Sequence, residues 1–391
     1  MSAALLVLNA GSSSLKFSVY AHEPALPELL KGSISRLGDA PRLSVRCPGQ
    51  PPLSRALGNG ALSANDAVET ALAELETRGM LQHMHAVGHR IVHGGLEYSE
   101  PLLLDALAVQ RLRRLSPLAP LHQPYNLDIV EQSRQHLPQA QQIGAFDTAF
   151  HANRPAGDRL YGLPRELAED GIVAYGFHGL SYSHVAGVLR SRAAGAGGRA
   201  IVAHLGSGAS LCAMQAGHSI ATTMGFSPLD GLLMSTRCGP LDPGVILHLL
   251  GERGMDLESL NQLLYRRSGL LGLSGISGDM QVLLDSADPR ADEAIELFVY
   301  RIGRQIGSLS AALGGLDTLV FTAGIGENSA HIRQRVCEAA GWLGVAIDPA
   351  ANAAAATVIS TSDSRVEVLV VPTEEERAVA QAVLTCLARL A

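Results

Sequence analysis

Two short stretches about half a chain apart share one grammar. Near the start, Leu5–Leu8 is apolar and Asn9-Ala-Gly-Ser-Ser-Ser14 is turn-like. Leu15–Tyr20 then alternates Leu15, Phe17 and Val19 with Lys16, Ser18 and Tyr20. Near residue 200 the same order returns: Ala200–Leu205 as a strand, Gly206–Ser210 as a Gly/Ser turn, Leu211–Met214 as the next strand. A repeated strand–turn–strand unit predicts an internal duplication. The 391 residues leave room for two or three domains, at about 150 residues each, and each half can bury a proper core.

The segments between are mixed α/β. Asn65–Arg78 carries Val68, Ala71, Leu72 and Leu75 at helical spacing. His85–Val92 reads as a strand entering His93-Gly-Gly95, and Gln142–Phe146 as a short strand ending at Asp147. Asp292–Leu313 places Ile295, Phe298, Val299, Ile302, Ile306, Leu309 and Leu313 on one helical stripe, stopped by Gly314-Gly315. Leu319–Thr322 is a strand running into Ala323-Gly-Ile-Gly-Glu-Asn328. Val366–Val371 is the last strand, followed by a helix from about Glu374. Arg36–Gly60, rich in Pro, Gly and Arg, reads as loops and edge strands.

Composition narrows the class. Apolar residues are 47 % and charged residues 17 %, which is globular rather than disordered. No apolar run reaches the length of a membrane span, and Ala3–Leu8 is too short for a signal peptide. Five cysteines without a CxxC pair argue against a disulfide framework or zinc site and for a reducing cytoplasm. A net charge of −7 argues against bulk nucleic-acid binding. Of 30 basic residues only Lys16 and Lys31 are lysine. Against that arginine bias, a lysine beside a Gly/Ser turn points to a site that wants a compact ammonium.

Several residues then carry candidate chemistry. Backbone N–H groups and hydroxyls of Asn9–Lys16 can cradle phosphate oxygens with Lys16 as a point charge, or form an ordinary polar turn. Gly206–Ser210 is a second such turn or a plain hairpin, and Gly324-Ile-Gly326 a third or a helix entry needing small residues for packing. None fits the P-loop or the Rossmann GxGxxG pattern. Arg90, among apolar neighbours, is either a buried ion-pair partner or an anion clamp. Asp147 either serves catalysis or caps a helix. His178, flanked by glycines, and Arg237, in Ser235–Pro243, are candidate ligand contacts. Trp342 reads as core, and Glu374-Glu-Glu376 as a charged first helical turn.

Together these motifs resemble those of the acetate/propionate kinase family, within the acetate and sugar kinase, Hsp70 and actin superfamily. The resemblance is carried by Val7–Phe17, Gly88–Gly95, Phe146-Asp-Thr-Ala-Phe-His151, Tyr175–Leu180, Leu229–Pro243 and Ala323–Asn328, in order along nearly the whole chain. It implies duplicated ribonuclease-H-like domains with a cleft between them: 1–147 plus about 375–391, and 148–374. It implies reversible phosphoryl transfer from ATP to acetate or another short carboxylate in a cytoplasmic homodimer, with no nucleic acid or membrane partner. Asn9 and Glu375 match magnesium-site positions, manganese being a substitute metal. Ser12, Ser14 and Lys16 match the phosphate-handling turn. Arg90 matches the acid-binding position; Asp147, His178 and Arg237 match catalytic ones. His204, Leu205, Gly206, Ser207 and Gly208, then Asp279, Met280 and Gln281, then Gly324, Ile325, Gly326, Glu327 and Asn328 match nucleotide segments. Val92, Leu121, Phe177 and Pro228 match the apolar acyl pocket.

The chain departs from the pattern in places. Ser207 stands where the family usually has Asn, Gln281 where an Arg commonly lines the nucleoside pocket, Gln123 for a common Asn, and Glu374 for the Asn before the metal Glu. Cys238-Gly-Pro240 replaces a commoner Ser-Gly-Asp. Ser207 and Gln281 bear on the phosphoryl donor and its affinity. The rivals are a propionate or butyrate kinase, a pyrophosphate donor, and a nucleotide-binding protein of the superfamily without kinase activity.

Overall fold

The computed structural model describes residues 3–11, 14–120, 122–192 and 198–390. Ser12 and Leu121 lie outside them. The chain divides into two compact units, Met1–Ala152 with Glu374–Ala391, and Asn153–Thr373.

The first unit holds an eight-stranded sheet. Its strands are β1 (Ala4–Ala10), β2 (Ser14–Ala21), β3 (Glu28–Ser35), β4 (Arg42–Arg46), β5 (Leu53–Ala56), β6 (Met84–Ile91), β7 (Leu102–Leu103) and β8 (Gln141–Phe146), in the order β5-β4-β3-β2-β1-β6-β8-β7. The second unit holds β9 (Arg199–Leu205), β10 (Ala209–Gln215), β11 (His218–Thr222), β12 (Thr318–Thr322) and β13 (Glu367–Val370), in the order β11-β10-β9-β12-β13. The central five strands of the first sheet repeat this plan. β1–β2–β3 and β9–β10–β11 are antiparallel meanders, and β6 and β8, like β12 and β13, add in parallel. The turn at 206–208 is shorter than the sequence suggests, because Ala209 and Ser210 already pair with Leu205 and His204.

β1 is buried at every position, as expected for a strand covered on both faces. Leu6, Leu8 and Phe17 pack with Val68, Ala71, Leu72 and Leu75 of the helix Ala64–Thr77. That helix starts at a capping box: Ser63 Oγ accepts from Asp66 N, and Asp66 Oδ2 accepts from Ser63 N at 2.9 Å. The opposite face takes the final helix, Glu375–Leu390. Gly88 lets it approach, since a Cβ there would meet Val383 and Val379 at 2.7 and 2.8 Å. This second cover buries Ser18 and Tyr20, so β2 does not keep the half-polar alternation of its sequence.

In the second unit the helix Pro289–Leu313 buries the seven apolar residues of its expected stripe. Asp288 caps its start and Gly314, at φ +68°, closes it in the left-handed region. Trp342 is not core: it is 66 % exposed on the turn Gly341–Leu343, one ring edge resting over Gly307. No helix among the described residues is long and apolar enough to cross a membrane.

Candidate active site

In the first unit, four expected site residues meet in one network. Asn9 comes from the end of β1, Arg90 from the end of β6, Asp147 from just beyond β8, and Glu375 from the first turn of the final helix. Arg90 Nε and Nη2 donate to Asp147 Oδ2 at 3.0 and 2.6 Å, and Nη1 donates to Asn9 Oδ1 at 3.2 Å. Asn9 Nδ2 donates to Glu375 Oε2 at 3.0 Å and to Glu376 Oε1 at 2.7 Å. Glu375 and Glu376 open the final helix, as the acidic run suggests, but both are buried partners of Asn9, 366 and 367 residues away.

Asp147 makes an ion pair rather than a helix cap; Arg90 is 19 % exposed and Asp147 is buried. Burial pushes the Asp147 carboxyl above its ordinary range, with Arg90 pulling the other way. Burial also opposes the Arg90 charge, but Asp147, Glu375 and Glu376 hold its pKa above the usual arginine value. Asp147 Oδ1 is buried with no hydrogen-bond partner.

The loop after Arg90 is clipped group by group. Val92 N donates to Asn126 Oδ1 at 3.1 Å, His93 N to Gln123 Oε1 at 3.1 Å, and Gly94 N to Thr148 Oγ1 at 3.0 Å. Gln123 Nε2 returns a bond to His93 O at 3.0 Å. Val92 is buried one residue beyond β6. Lys16 faces Asn9 across the β1–β2 pair, and Ser14 opens β2, its carbonyl accepting from Gly11 N at 2.8 Å.

In the second unit His178 precedes the helix Gly179–Ser191 at φ +58°, a costly conformation for a non-glycine residue. Its Nδ1 lies 2.9 Å from Ser210 Oγ, which also bonds Tyr182. Its ring stacks on His204 with centroids 4.1 Å apart, and His204 Nδ1 lies 2.9 Å from Ser181 Oγ. A Cβ on Gly208 would stand 3.1 Å from Arg237 Nη2 and 3.2 Å from His178 Nε2. The turn therefore brings the histidine and the arginine to one spot, and glycine is what gives them room. Arg237 Nη1 is held by Pro228 O at 2.6 Å, and Ser207 O accepts from Ser235 N at 3.2 Å. Phe177 and Leu205 are buried, and the side chain of Ser207 is exposed.

The other segments expected to meet nucleotide also lie in this unit. Gly206 abuts Ala323 and Gly324, and Gly278 lies against Ser235 O. Asp279 Oδ1 caps Gln281 N at 2.8 Å, Met280 is buried, and exposed Gln281 turns to Asp285. Gly324–Asn328 lie in the short helix Ala323–Asn328 directly after β12, where Asn328 Nδ2 bonds Gly324 O at 2.8 Å, Arg333 bonds the carbonyls of Gly326 and Glu327, and Ile325 O accepts from Ser329 N. Thr373, which no motif marks, accepts from Ala323 N at 2.9 Å and donates its N–H to Glu327 Oε1 at 2.8 Å.

The carboxylates beside Asn9 supply oxygen donors. Mg²⁺ takes one or two carboxylates and fills its other positions with water and phosphate. Glu375 and the unpartnered Asp147 oxygen fit such an ion, and Asn9, whose Nδ2 faces the glutamates while its oxygen accepts from Arg90, would join them with its amide turned over. No cluster of three or more His, Cys, Asp or Glu residues arranged to hold a metal alone occurs among the described residues.

The paired sheets define a duplicated ribonuclease-H-like fold of the actin-like ATPase type. Residues 4–381 match the Acetokinase family, and the chain belongs to it. An acetate kinase of Rhodopseudomonas palustris is 52 % identical over 389 residues, covering 97 % of this chain and 98 % of its own. One of Rhizobium meliloti is 44 % identical over 391 residues, covering 98 % of each. Among solved structures, a propionate kinase of Francisella tularensis superposes with a TM-score of 0.90 at 34 % identity, covering 97 % of this chain and 98 % of its own. An acetate kinase of Porphyromonas gingivalis gives 0.86 at 34 % identity, covering 99 % and 100 %.

Proposed function

We propose that the protein transfers the γ-phosphoryl group of ATP reversibly to acetate, giving acetyl phosphate and ADP. Full-length relatives at 52 % and 44 % identity bear the acetate kinase name. The observation that carries the reading is the Asn9–Arg90–Asp147–Glu375 network, which unites four separate motifs.

Acetate is ionised at neutral pH, so its oxygen attacks phosphorus without a base, and the bond to the leaving ADP oxygen breaks. Arg90, its Nε and Nη2 committed to Asp147, offers the edge of its guanidinium to the acid. Asp147 acts as an orienter, not a proton acceptor. Arg237 and His178, brought together at Gly208, offer cationic and N–H groups to the transferring phosphoryl oxygens. The turns at 206–208 and 324–328 and the 279–281 segment hold the nucleotide, and Lys16 with the Ser12–Ser14 turn handles phosphate. By the family pattern, Val92, Leu121, Phe177 and Pro228 are the positions assigned to the methyl group. Asn9 and Glu375 would hold Mg²⁺ (or Mn²⁺), which when bound offsets charge on the nucleotide phosphates.

A homodimer in the cytoplasm completes the reading. The helix Pro243–Gly251 is apolar yet buries none of its residues, and Leu247 is 70 % exposed beside Val245 and Leu250. Such a patch fits a second copy of the chain. All five cysteines are free, as suits a reducing compartment.

A hydroxamate assay with ATP, Mg²⁺ and acetate, propionate or butyrate tests the activity. Acetyl phosphate formation with acetate preferred is expected, lost in Arg90→Ala. No phosphorylation of any of the three acids would overturn the reading.

A further inference from the structure

Tyr182 carries a hydroxyl into a wholly buried place. It sits one turn into the helix Gly179–Ser191, its N–H donating to His178 O at 3.0 Å. Burial pushes its phenol well above the usual value, so the hydroxyl keeps its proton. That hydroxyl bonds Ser210 Oγ, itself wholly buried, and the same oxygen stands 2.9 Å from His178 Nδ1. Ser210 faces His204 across the β9–β10 pair, and the His204 ring stacks on that of His178 with centroids 4.1 Å apart. The stack fixes the plane of the His178 imidazole. With Nδ1 on Ser210, its Nε2 lies beside Gly208, where Arg237 Nη2 also arrives.

The protons in this chain have one arrangement that satisfies every group. A phenol O–H is a better donor and a poorer acceptor than an alcohol, so at the Tyr182–Ser210 contact the phenol donates. Ser210 then holds one proton of its own. Among the described residues its hydroxyl bonds only Tyr182 and His178. Accepting from both would strand that proton in a buried place. Ser210 therefore donates to Nδ1, and the ring carries its proton on Nε2. The reverse order, Nδ1–H to Ser210 to Tyr182, would leave a neutral ring with a lone pair on Nε2. Such a lone pair would meet the negative phosphoryl oxygens and repel them, whereas an N–H is attracted to them.

We propose that Tyr182, acting through Ser210, is a positioning residue: it fixes His178 as the tautomer protonated on Nε2, and so aims an N–H rather than a lone pair at the transferring phosphoryl group. The inference rests on the reading of His178 as a hydrogen-bond donor to the phosphoryl oxygens.

Tyr182→Phe keeps the ring and removes the hydroxyl. Its kcat should fall about 10–100-fold, the range for the outer partner of a functional histidine. KM for acetate and for ATP should stay within about twofold, because the aimed N–H acts on the transition state. Ser210→Ala should cost as much and the double variant no more, since the two hydroxyls act as one chain. The tautomer is read by NMR in ligand-free enzyme labelled with ¹⁵N-histidine, at about pH 8.5, above the ordinary histidine range. His178 is assigned by the resonances lost in His178→Ala. Its Nδ1 should show the shift of a bare nitrogen and its Nε2 that of an N–H. In Tyr182→Phe the Ser210 hydroxyl is free to accept, so the two shifts should move toward each other. A wild-type ring protonated at Nδ1 overturns the proposal, as does a Tyr182→Phe enzyme whose kcat and His178 shifts match wild type. A loss carried by KM with unmoved shifts means that the hydroxyl serves packing alone, and overturns it too. Should a variant fail to fold, the wild-type tautomer still decides. If His178→Ala leaves kcat unchanged, the reading of His178 as a donor to the phosphoryl oxygens fails instead.

Discussion

Arg90 sets two of its nitrogens on a single oxygen of Asp147, at 3.0 and 2.6 Å, and leaves the other oxygen buried without a partner. A pair built only for stability would use both oxygens in a parallel fork. The side-on geometry keeps one carboxylate oxygen for another task. Asp147→Asn keeps the shape but removes the charge that orients Arg90. A fall in kcat/KM for acetate of about 10²-fold is expected, the cost of a misplacement near 1 Å. Asp147→Ala should also lower stability by about 3–5 kcal/mol, as for one partner of a buried pair. Steady-state kinetics and urea unfolding check both; activity of Asp147→Asn within threefold of wild type would remove Asp147 from the site.

Gly208 separates Arg237 Nη2 from His178 Nε2 with no room to spare. Gly208→Ala forces both outward by a few tenths of an ångström. A kcat loss of about tenfold with little change in melting temperature is expected, since the turn is partly open and the displaced groups act on charge. Arg237→Ala should cost about 10²–10⁵ in kcat, and Arg237→Lys should recover little, because a point charge cannot replace the fork held by Pro228 O. A kcat for either Arg237 variant within threefold of wild type contradicts the assignment.

Ser207 exposes its side chain while its carbonyl holds Ser235 N. A longer side chain therefore fits without disturbing the turn. Ser207→Asn, which adds an amide donor, should tighten ATP binding by about tenfold, a contact of roughly 1.5 kcal/mol. Calorimetry with ATP reads this directly, and unchanged affinity would mean that position 207 does not face phosphate.

What was legible in the sequence followed from local rules. The stripe from Ile295 to Leu313 and the strand–turn–strand pairs depend on periodicity and turn residues, and the structure keeps them. Glu375 and Glu376 do open the final helix as the acidic run suggests, but their burial is not legible locally, because their partner Asn9 lies near the other end of the chain. Trp342 was misread for the converse reason: size and apolarity favour burial, but no local rule says whether a neighbour covers a turn. Tyr182, which bonds the Ser210 hydroxyl beside His178, lies outside the motifs, and Ser210 only closes the Gly206–Ser210 turn; no local rule links either to His178.

Val92 is buried and follows Arg90 by two residues, but the β6–β8 ladder closes at Ile91, so strand alternation does not place its side chain. Its backbone is tied by Asn126, which leaves the side chain as the variable part. Val92→Ala should lower KM for propionate and butyrate by about 10–200-fold at most, the value of a methylene in an apolar pocket, and acetate less. KM should move more than kcat, because the wall meets substrate and transition state alike. Equal changes for all three acids would exclude Val92 from the acyl wall.

His89 and His93 flank the strand end that delivers Arg90, and burial lowers both from 6.5 to about 4. His89 Nε2 shares a proton with Gln142 Oε1 at 2.7 Å, and His93 Nδ1 accepts from Gly95 N at 2.9 Å, so the fold holds both rings neutral. The unfolded chain binds more protons than the native one between those values. The stability they contribute is therefore whole above pH 6.5 and is lost as pH falls toward 4, with a slope of up to about 1.4 kcal/mol per pH unit for each histidine. Urea unfolding at pH 7.5, 6.5, 5.5 and 4.5 should show an uptake approaching two protons. His89→Gln cannot titrate, so it should be less stable at pH 7.5 yet lose stability more slowly on acidification, with about one proton fewer in the slope. An unaltered slope in that variant would mean that His89 is already protonated in the native enzyme, and that Gln142 accepts from an imidazolium.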